Sequence, residues 1–308
     1  MSSAPPANVY GGTFDRLAER RRDGEWLTRA RHHPETRILP IWQGRQPIVE
    51  TPGGPRLVGV PVSAIDGLNG EPVLLGATRA GHAGTTWFAV DLGAGPEHEE
   101  PRIQLPEPAR FVDLREAGAL LPAPEAAVAA TARGLLAWHA QSRHCGRCGA
   151  PTRGEAAGHV LRCDGCGASH HPHIEPAIIT LVTDGGDRCV LGRSRRHPAG
   201  MHSCFAGFVE PGESLEAAVA REVREEIGLE VEDVHYHSSQ PWPFPSQLMI
   251  GFTARASTFD IRLDDDEIRS ARWFARAELL ASPEDETLRL PRPDSVARRL
   301  VEDWLRSE

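Results

Sequence analysis

No lysine occurs among the 308 residues: all 34 basic side chains are arginine, set against 43 aspartates and glutamates, for a formal net charge of −9. The acidic balance argues against long non-specific contact with nucleic acid. With no ammonium side chains, any phosphate clamp must be built from guanidinium forks. No run of about 18 or more apolar residues is present, so no membrane-spanning helix is expected. The opening MSSAPPANVYGG has no basic stretch followed by an apolar core, so nothing marks export and the cytoplasm is the expected location. Internal repeats and extended low-complexity tracts are absent as well. What remains is an ordinary globular composition, 40% hydrophobic and 25% charged, long enough for two domains and a small third piece.

The most informative stretch runs from Gly207 to Leu229. Winding residues 214–227 at about 100° per residue gathers Leu215, Ala218, Val219, Val223 and Ile227 into one apolar arc. Glu222 and Glu226 fall within that arc one turn apart, with Glu225 on its flank. Two ionised carboxylates buried side by side are costly unless something cationic neutralises them. A divalent metal answers that need, and hard carboxylate oxygens suit Mg²⁺ or Mn²⁺. The bland alternative, a solvated Glu-rich helix, conflicts with the wheel.

The spacing Gly207, five residues, Glu213, seven residues, Arg221-Glu222-Val223, one residue, Glu225-Glu226, one residue, Gly228-Leu229 resembles the Nudix box at every defining position over 23 contiguous residues. Nudix enzymes hydrolyse a nucleoside diphosphate linked to another moiety, and the resemblance implies that activity together with an α/β/α sandwich.

Of six cysteines, Cys145, Cys148, Cys163 and Cys166 form two Cys-x-x-Cys pairs separated by 14 residues. This is close to the spacing of paired-Cys zinc sites, and four thiolates complete a closed, structural tetrahedral shell for one Zn²⁺ per chain. A redox Cys-x-x-Cys is the competing reading, disfavoured by two matched pairs. Gly146, Gly149, Gly165 and Gly167 are expected to supply positive φ in the knuckle turns. Cys189 and Cys204 read as small buried residues. The histidines of His170-His-Pro-His173 are taken as ordinary or substrate-facing, because the thiols already satisfy one zinc.

Three domains are expected: residues 1–140, a zinc ribbon over 141–172, and a catalytic domain over 173–308. In the first, strands are expected over 37–42, 56–60, 72–76 and 86–92, a loop over 93–108 and an Ala/Leu-rich helix over 124–142. The basic clusters 16–22 and 29–33 lie in a candidate helical region; they read as solvated faces, with an interface or a phosphate-bearing partner as the alternative. In the last, strands are expected over 177–183 and 188–192 around an Asp184-Gly-Gly-Asp187 hairpin turn, then over 231–236, 248–256 and 271–274. A closing helix over 295–305 spaces Val296, Leu300 and Trp304 four apart.

Ten residues past the box comes Ser239-Gln-Pro-Trp-Pro-Phe-Pro245, where three prolines in five positions block a helix and favour a stiff extended loop. Trp242 and Phe244 on such a loop suit a stacking platform for a base or nicotinamide ring, or equally a hydrophobic anchor in a core or interface. Box, SQPWPFP and upstream Cys₄ ribbon together, with HPHIEPA after the ribbon, Phe205-Ala-Gly-Phe-Val-Glu210 and Val296-Ala-Arg-Arg-Leu300, resemble the NADH pyrophosphatase (NudC-type) family of Nudix enzymes. The likeness extends over residues 140–308; over 1–140 it is one of size and placement only.

That resemblance implies an α/β (α+β) chain with an N-terminal Nudix-like domain that supports homodimerisation, cleavage of NAD(H) into nicotinamide mononucleotide and AMP, and removal of NAD caps from RNA 5′ ends. It implies Mg²⁺ or Mn²⁺ ligation by Glu222, Glu225, Glu226, Glu267 and the carbonyl of Ala206, with Arg221 holding the carboxylates and Glu213 orienting Arg221. It places Gln240, Pro241, Trp242, Pro243, Phe244, Pro245, Ser246, Gln247, His171 and Ala297 at the dinucleotide. Asp264, Asp265 and Asp266 are taken as a solvated turn. Two positions depart from the family pattern: Gln247 stands where Ser is usual, and His171 where Tyr is common, which puts substrate preference in doubt more than catalysis. Two other readings stay open: RNA decapping as the main role, and a non-catalytic Nudix-like binding module.

Overall fold

The computed structural model describes residues 10, 14–65, 70–80, 83–93, 101, 103–195, 197–263 and 267–307. The expected solvated turn 264–266, most of the opening segment and part of the expected loop 93–108 lie outside the described residues. The chain divides into two compact units: residues 1–174 with 242–246, and residues 175–241 with 247–308.

The first unit holds strands β1 (Arg37–Ile41), β2 (Arg45–Thr51), β3 (Gly54–Leu57), β4 (Val73–Ala80), β5 (Ala83–Asp91) and β6 (Arg110–Asp113), with helices α1 (Gly24–Arg31), α2 (Leu114–Ala117) and α3 (Ala123–Gln141). One sheet runs β1-β5-β4, with β1 and β5 parallel; a second runs β3-β2-β6, all antiparallel. Helix α3 is buried almost all round, through Ala126, Ala129, Ala132, Leu135, Leu136 and Trp138, because its alanines let backbone approach closely on every side. Glu125, in its first turn, accepts from the Leu57 N–H at 2.7 Å and from Arg56 Nε at 2.7 Å, fixing β3 against the helix start.

Strands β2 and β6 were not expected from sequence. Pro47 sits inside β2, and proline lowers a strand reading, yet β2 is the central strand of its sheet with β3 on one side and β6 on the other. The expected strand at 56–60 is displaced to Gly54–Leu57, with Val58 donating to Pro47 O and Val60 exchanging two bonds with Ile38.

The ribbon adds β7 (Thr152–Glu155), β8 (Val160–Cys163) and β9 (Ser169–His170), an antiparallel three-stranded sheet. Only two of the four knuckle glycines take positive φ, Gly149 at 75° and Gly167 at 70°. Gly165 is small for another reason: a Cβ there would stand 2.7 Å from the Ala150 Cβ and 3.5 Å from Cys148 Sγ. Gly146 has open space around it. The ribbon is tied to the rest of its unit by His159 Nε2, which donates to the Leu74 carbonyl at 2.7 Å, and by His139 Nε2, which donates to Gly158 at 2.6 Å.

The second unit is built on one mixed sheet of β10 (Glu175–Thr183), β11 (Arg188–Ser194), β12 (Phe205–Phe208), β13 (Val231–Trp242), β14 (Gln247–Ala256) and β15 (Ile268–Ala275). Its order is β13-β14-β10-β11-β15, with β12 also pairing β10. Strand side chains alternate faces. Ile178, Val182 and Val190 therefore pack with α4 (Leu215–Ile227), while Ile179, Leu181, Cys189 and Leu191 pack with α6 (Val296–Arg306) and α5 (Arg276–Ala281). The result is the α/β/α sandwich that the resemblance implies. The Val296, Leu300 and Trp304 stripe lies against the α6 face of the sheet as the spacing suggests. Strand β13 is longer than expected, because extended structure runs through Gln240 up to Trp242 rather than stopping at Tyr236.

Burial pushes the His159 imidazole down to about 4, and Arg21, His139 and Arg16 push in the same direction. An unfolded chain binds this proton near 6.5, so the native contribution is complete above that pH and is lost as pH falls toward 4. Melting temperature should drop between pH 7 and 5, and His159→Gln, which keeps a donor for Leu74 without a titrating ring, should flatten that drop. Parallel pH profiles for the two proteins would show that His159 is not the group responsible.

Candidate active site and cysteine cluster

Helix α4 presents the acidic face. Ser214 caps it by accepting from the Ala217 N–H at 3.2 Å, and Gly228, with φ of 70°, ends it while its N–H bonds the Arg224 carbonyl. Its apolar arc of Ala218, Val219, Val223 and Ile227 is fully buried against the sheet. Glu226 is carried in with that arc and is only 8% exposed. The Ala206 backbone opposes the rise of its pKa, and Oε2 has no hydrogen-bond partner. Glu222 is half-buried and Glu225 exposed.

Arg221 organises these acids. Nε and Nη2 take Glu213 at 2.8 and 3.0 Å, Nη1 takes Glu222 at 2.8 Å and Glu225 at 3.0 Å, and Nη2 also reaches the Phe208 carbonyl at 2.8 Å. Five bonds thus account for the five guanidinium donors. Glu213 in turn accepts from the Glu210 N–H at 3.0 Å, which closes the loop between β12 and α4. Gly207 is required by contact rather than by φ, since a Cβ there would overlap the Glu222 carboxylate.

The electrostatics separate the acids. Arg221 holds the Glu213 carboxyl below its usual range. Burial raises Glu222, with Arg221 pulling against it. Glu226 is pushed up to about 8, first by burial, then by the charges of Glu222 and Glu267. Glu267 is therefore part of the same electrostatic field; it is exposed, and its carbonyl accepts from the Arg195 N–H at 3.2 Å. A buried carboxylate with one orphaned oxygen, a neighbouring carboxylate and a further acid close by form a donor set that fits a hard divalent cation.

The residues expected at the dinucleotide are placed unevenly. Gln240 is 1% exposed and its amide is committed to backbone: Nε2 donates to Asp294 O at 2.7 Å and Oε1 accepts from Val296 N at 2.8 Å. It thereby anchors the start of α6 to β13. Ala297 is buried in α6, and its carbonyl accepts from Cys204 Sγ at 3.7 Å. Phe244 takes the anchoring alternative. It is buried in the core of the first unit, edge-on to Tyr10 and Trp242, with the guanidinium of Arg115 4.2 Å and that of Arg133 4.9 Å from its ring centroid. Arg133 Nε also donates to Pro243 O at 2.9 Å. Pro243 is buried, Pro241, Trp242 and Ser246 are half-buried, and Pro245 is exposed. Gln247 pairs with Glu175 in the sheet, and His171 is exposed. Arg115 and Arg133 had no sequence signal, since neither lies near the SQPWPFP segment in the chain.

In the ribbon, all four thiols are free and their sulfurs lie within 4.8 Å of one another, with Cys145–Cys166 at 3.8 Å and Cys148–Cys163 at 3.4 Å. A tetrahedron with bonds of about 2.3 Å has edges of about 3.8 Å, so this cluster could bind zinc. The N–H groups of Cys166 and Gly165 each lie 3.3 Å from Cys163 Sγ, and the former leads in lowering that thiol to about 6. His170 Nε2 lies 3.2 Å from Cys145 Sγ, a neighbour that the reading of the histidines as ordinary or substrate-facing had missed.

Residues 173–294 match the NUDIX domain model, and residues 35–138 match the NADH pyrophosphatase-like rudimentary NUDIX domain. A protein named NAD-capped RNA hydrolase NUDT12 from Macaca fascicularis is 33% identical, over 97% of this chain and 73% of its own. One named NAD-capped RNA hydrolase NudC from Mycobacterium bovis is 39% identical, over 82% of this chain and 81% of its own. The chain belongs to the NADH pyrophosphatase (NudC-type) family of Nudix hydrolases. The rudimentary domain match also covers most of the N-terminal region, where sequence resemblance had offered only size and placement. Among solved structures, a NUDIX hydrolase from Nitrosomonas europaea overlaps 53% of this chain and 90% of its own, with a TM-score of 0.43 and 20% identity.

The raised Glu226 carboxyl has a direct consequence. Folded protein keeps this proton up to about pH 8 whereas the unfolded chain releases it near 4.5, so metal-free stability should fall as pH rises through that window. Glu226→Gln should abolish that part of the fall and melt at or above the parent at pH 9, because a buried charge is gone. A variant melting several degrees below the parent there would show that the carboxylate is not an unmet burden in the metal-free fold.

Proposed function

We propose that this chain hydrolyses the central diphosphate of NAD(H) to nicotinamide mononucleotide and AMP and removes NAD caps from RNA 5′ ends. The observation that carries the reading is the buried Glu226 with an orphaned oxygen, beside Glu222 on the Arg221 scaffold, in a chain whose relatives are named NAD-capped RNA hydrolases. Nudix hydrolases generally use divalent metals. Mg²⁺ or Mn²⁺ is assigned to Glu222, Glu225, Glu226, Glu267 and the Ala206 carbonyl, where it would neutralise diphosphate oxygens and acidify a bound water.

The protein's own contribution is positioning. Glu213 locks Arg221, and Arg221 fixes Glu222 and Glu225 at 2.8 and 3.0 Å so that they face the diphosphate without reorganising. Gly207 leaves room for Glu222. Glu267, exposed and within the field of Glu222 and Glu226, is assigned the acceptance of the proton from the attacking water. The oxygen of that water then joins one phosphorus, and the bridging P–O bond breaks. Binding of the dinucleotide by residues 240–247, His171 and Ala297 rests on the family resemblance. Gln240, Phe244 and Ala297 act through the placement of their neighbours, and Trp242 keeps the only partly exposed ring of the segment.

Zn²⁺ is assigned to Cys145, Cys148, Cys163 and Cys166 as a structural ion, and the three domains are assigned as residues 1–140, 141–172 and 173–308. A homodimer in the cytoplasm is part of the same proposal; six free thiols suit a reducing compartment. No described helix is long and apolar enough to cross a membrane.

With Mg²⁺ or Mn²⁺, purified protein should convert NADH and NAD⁺ to mononucleotides and release nicotinamide mononucleotide from NAD-capped RNA. Glu226→Gln should lose roughly a hundredfold or more in turnover while remaining folded. Intact dinucleotides under both metals would favour the binding-module reading. A rate on capped RNA far above that on free dinucleotide would make decapping the main role. Zinc chelation should lower the melting temperature before it affects chemistry; a melting curve indifferent to chelators and free of bound zinc by mass would overturn the ribbon assignment.

A further inference from the structure

The first unit contains a cavity of 760 Å³ whose wall joins the α1 region, the start of β4 and the segment linking β7 to β8. Arg21, Arg22, Arg31, Arg153 and His139 line it, with Leu27 and Val73 adding apolar surface. Arg153 is committed to Glu155 at 3.2 Å and Asp164 at 3.1 Å. Among the described residues, Arg21, Arg22 and Arg31 form no ion pair, although their unit has carboxylates enough to pair arginines elsewhere. Arg21 Nη2 reaches only the Arg16 carbonyl and Arg31 Nη2 only the Pro72 carbonyl, each at a long 3.4 Å. The Nε of each is buried without an acceptor.

Of the two acids in the wall, Glu155 is already shared between Arg153 and Arg162, and Glu71 is exposed. Arg21 and Arg31 are half-buried and Arg22 exposed, and guanidiniums gathered with no carboxylate in direct contact repel one another and, where buried, forfeit hydration, an arrangement that an anion relieves. Burial and then Arg16 lower Arg21, with Glu19 acting the other way, and Arg21, His139 and Arg16 add to the burial that lowers His159. Guanidinium forks match phosphate oxygens in pairs. The volume falls in the range of small-molecule sites. No Trp, Tyr or Phe lines the cavity among the described residues, whereas single-stranded nucleic acid is usually held on aromatic stacking platforms along a groove.

We propose that this cavity binds a small phosphorylated molecule, whose phosphate is taken by Arg21, Arg22 and Arg31 and whose uncharged body lies against Leu27 and Val73. This site is separate from the acidic face on α4 and goes beyond dinucleotide hydrolysis. On this proposal Arg21 and Arg22 of the 16–22 cluster and Arg31 of the 29–33 cluster serve phosphate recognition rather than a merely solvated face.

Calorimetry on the full chain without added divalent ions, using ribose 5-phosphate, inorganic phosphate and a 5′-hydroxyl single-stranded RNA as probes, tests it. Ribose 5-phosphate should bind saturably with one site per chain. Arg22→Gln, at an exposed position, and the double variant Arg21→Gln/Arg31→Gln should each weaken it roughly tenfold or more, the weight of one charge-assisted pair. NADH hydrolysis should stay at the parent rate in Arg22→Gln, which separates this site from the catalytic reading. Absence of saturable binding by either phosphate probe up to about 10 mM, where even a weak site fills, would overturn the proposal. So would binding indifferent to all three arginines, or RNA binding through these arginines while ribose 5-phosphate is refused.

Discussion

The catalytic unit depends on one contact, the guanidinium of Arg221 against the carboxylates of Glu213, Glu222 and Glu225. It solves two problems together. The loop between β12 and α4 gains a fixed end, because the same side chain also binds the Phe208 carbonyl. The acids on α4 gain a cation that holds them close without neutralising all of them. Glu226 lies outside Arg221's reach and stays buried with an unmet oxygen. The unmet hydrogen-bonding and ionising capacity is thus concentrated at the one position where the apolar arc and the acidic row coincide. A structure that satisfied Glu226 internally would be more stable and would have no reason to take up a cation.

The cysteine cluster and the acidic face of α4 are built in opposite ways. The cysteine cluster is compact, with every sulfur within 4.8 Å of the others and backbone N–H groups turned toward Cys163, as suits a closed structural ion. Among the described residues no carboxylate group reaches that compactness. Glu222 and Glu225 are drawn toward Arg221, and Glu267 comes from the residue just before β15, so the acids are spread rather than clustered.

The SQPWPFP segment shows how one motif serves two ends. Gln240 secures the start of α6 in the second unit. Two residues on, the chain enters the first unit, where Phe244 lies beneath Arg115 and Arg133. Proline spacing accounts for the stiffness of the segment and is silent about which core receives the ring.

Much of the site was legible in the sequence because it is local. The period of α4, the spacing of Glu213, Arg221, Glu222 and Glu226, and the paired cysteines all depend on chain geometry over a turn or two, which sequence distance reports directly. The same locality located Cys189 in its strand and the Val296, Leu300 and Trp304 stripe. What escaped is non-local. Strand β2 was hidden by Pro47, because pairing with β3 and β6 outweighs local propensity. The anchoring of Phe244, the His170 contact to Cys145 and the unpaired arginines around the 760 Å³ cavity all join residues distant along the chain. Which residues carry charge and sulfur, and how they repeat, follows from their order along the chain. Which of those charges are neutralised follows from the partners that folding brings within a few ångströms.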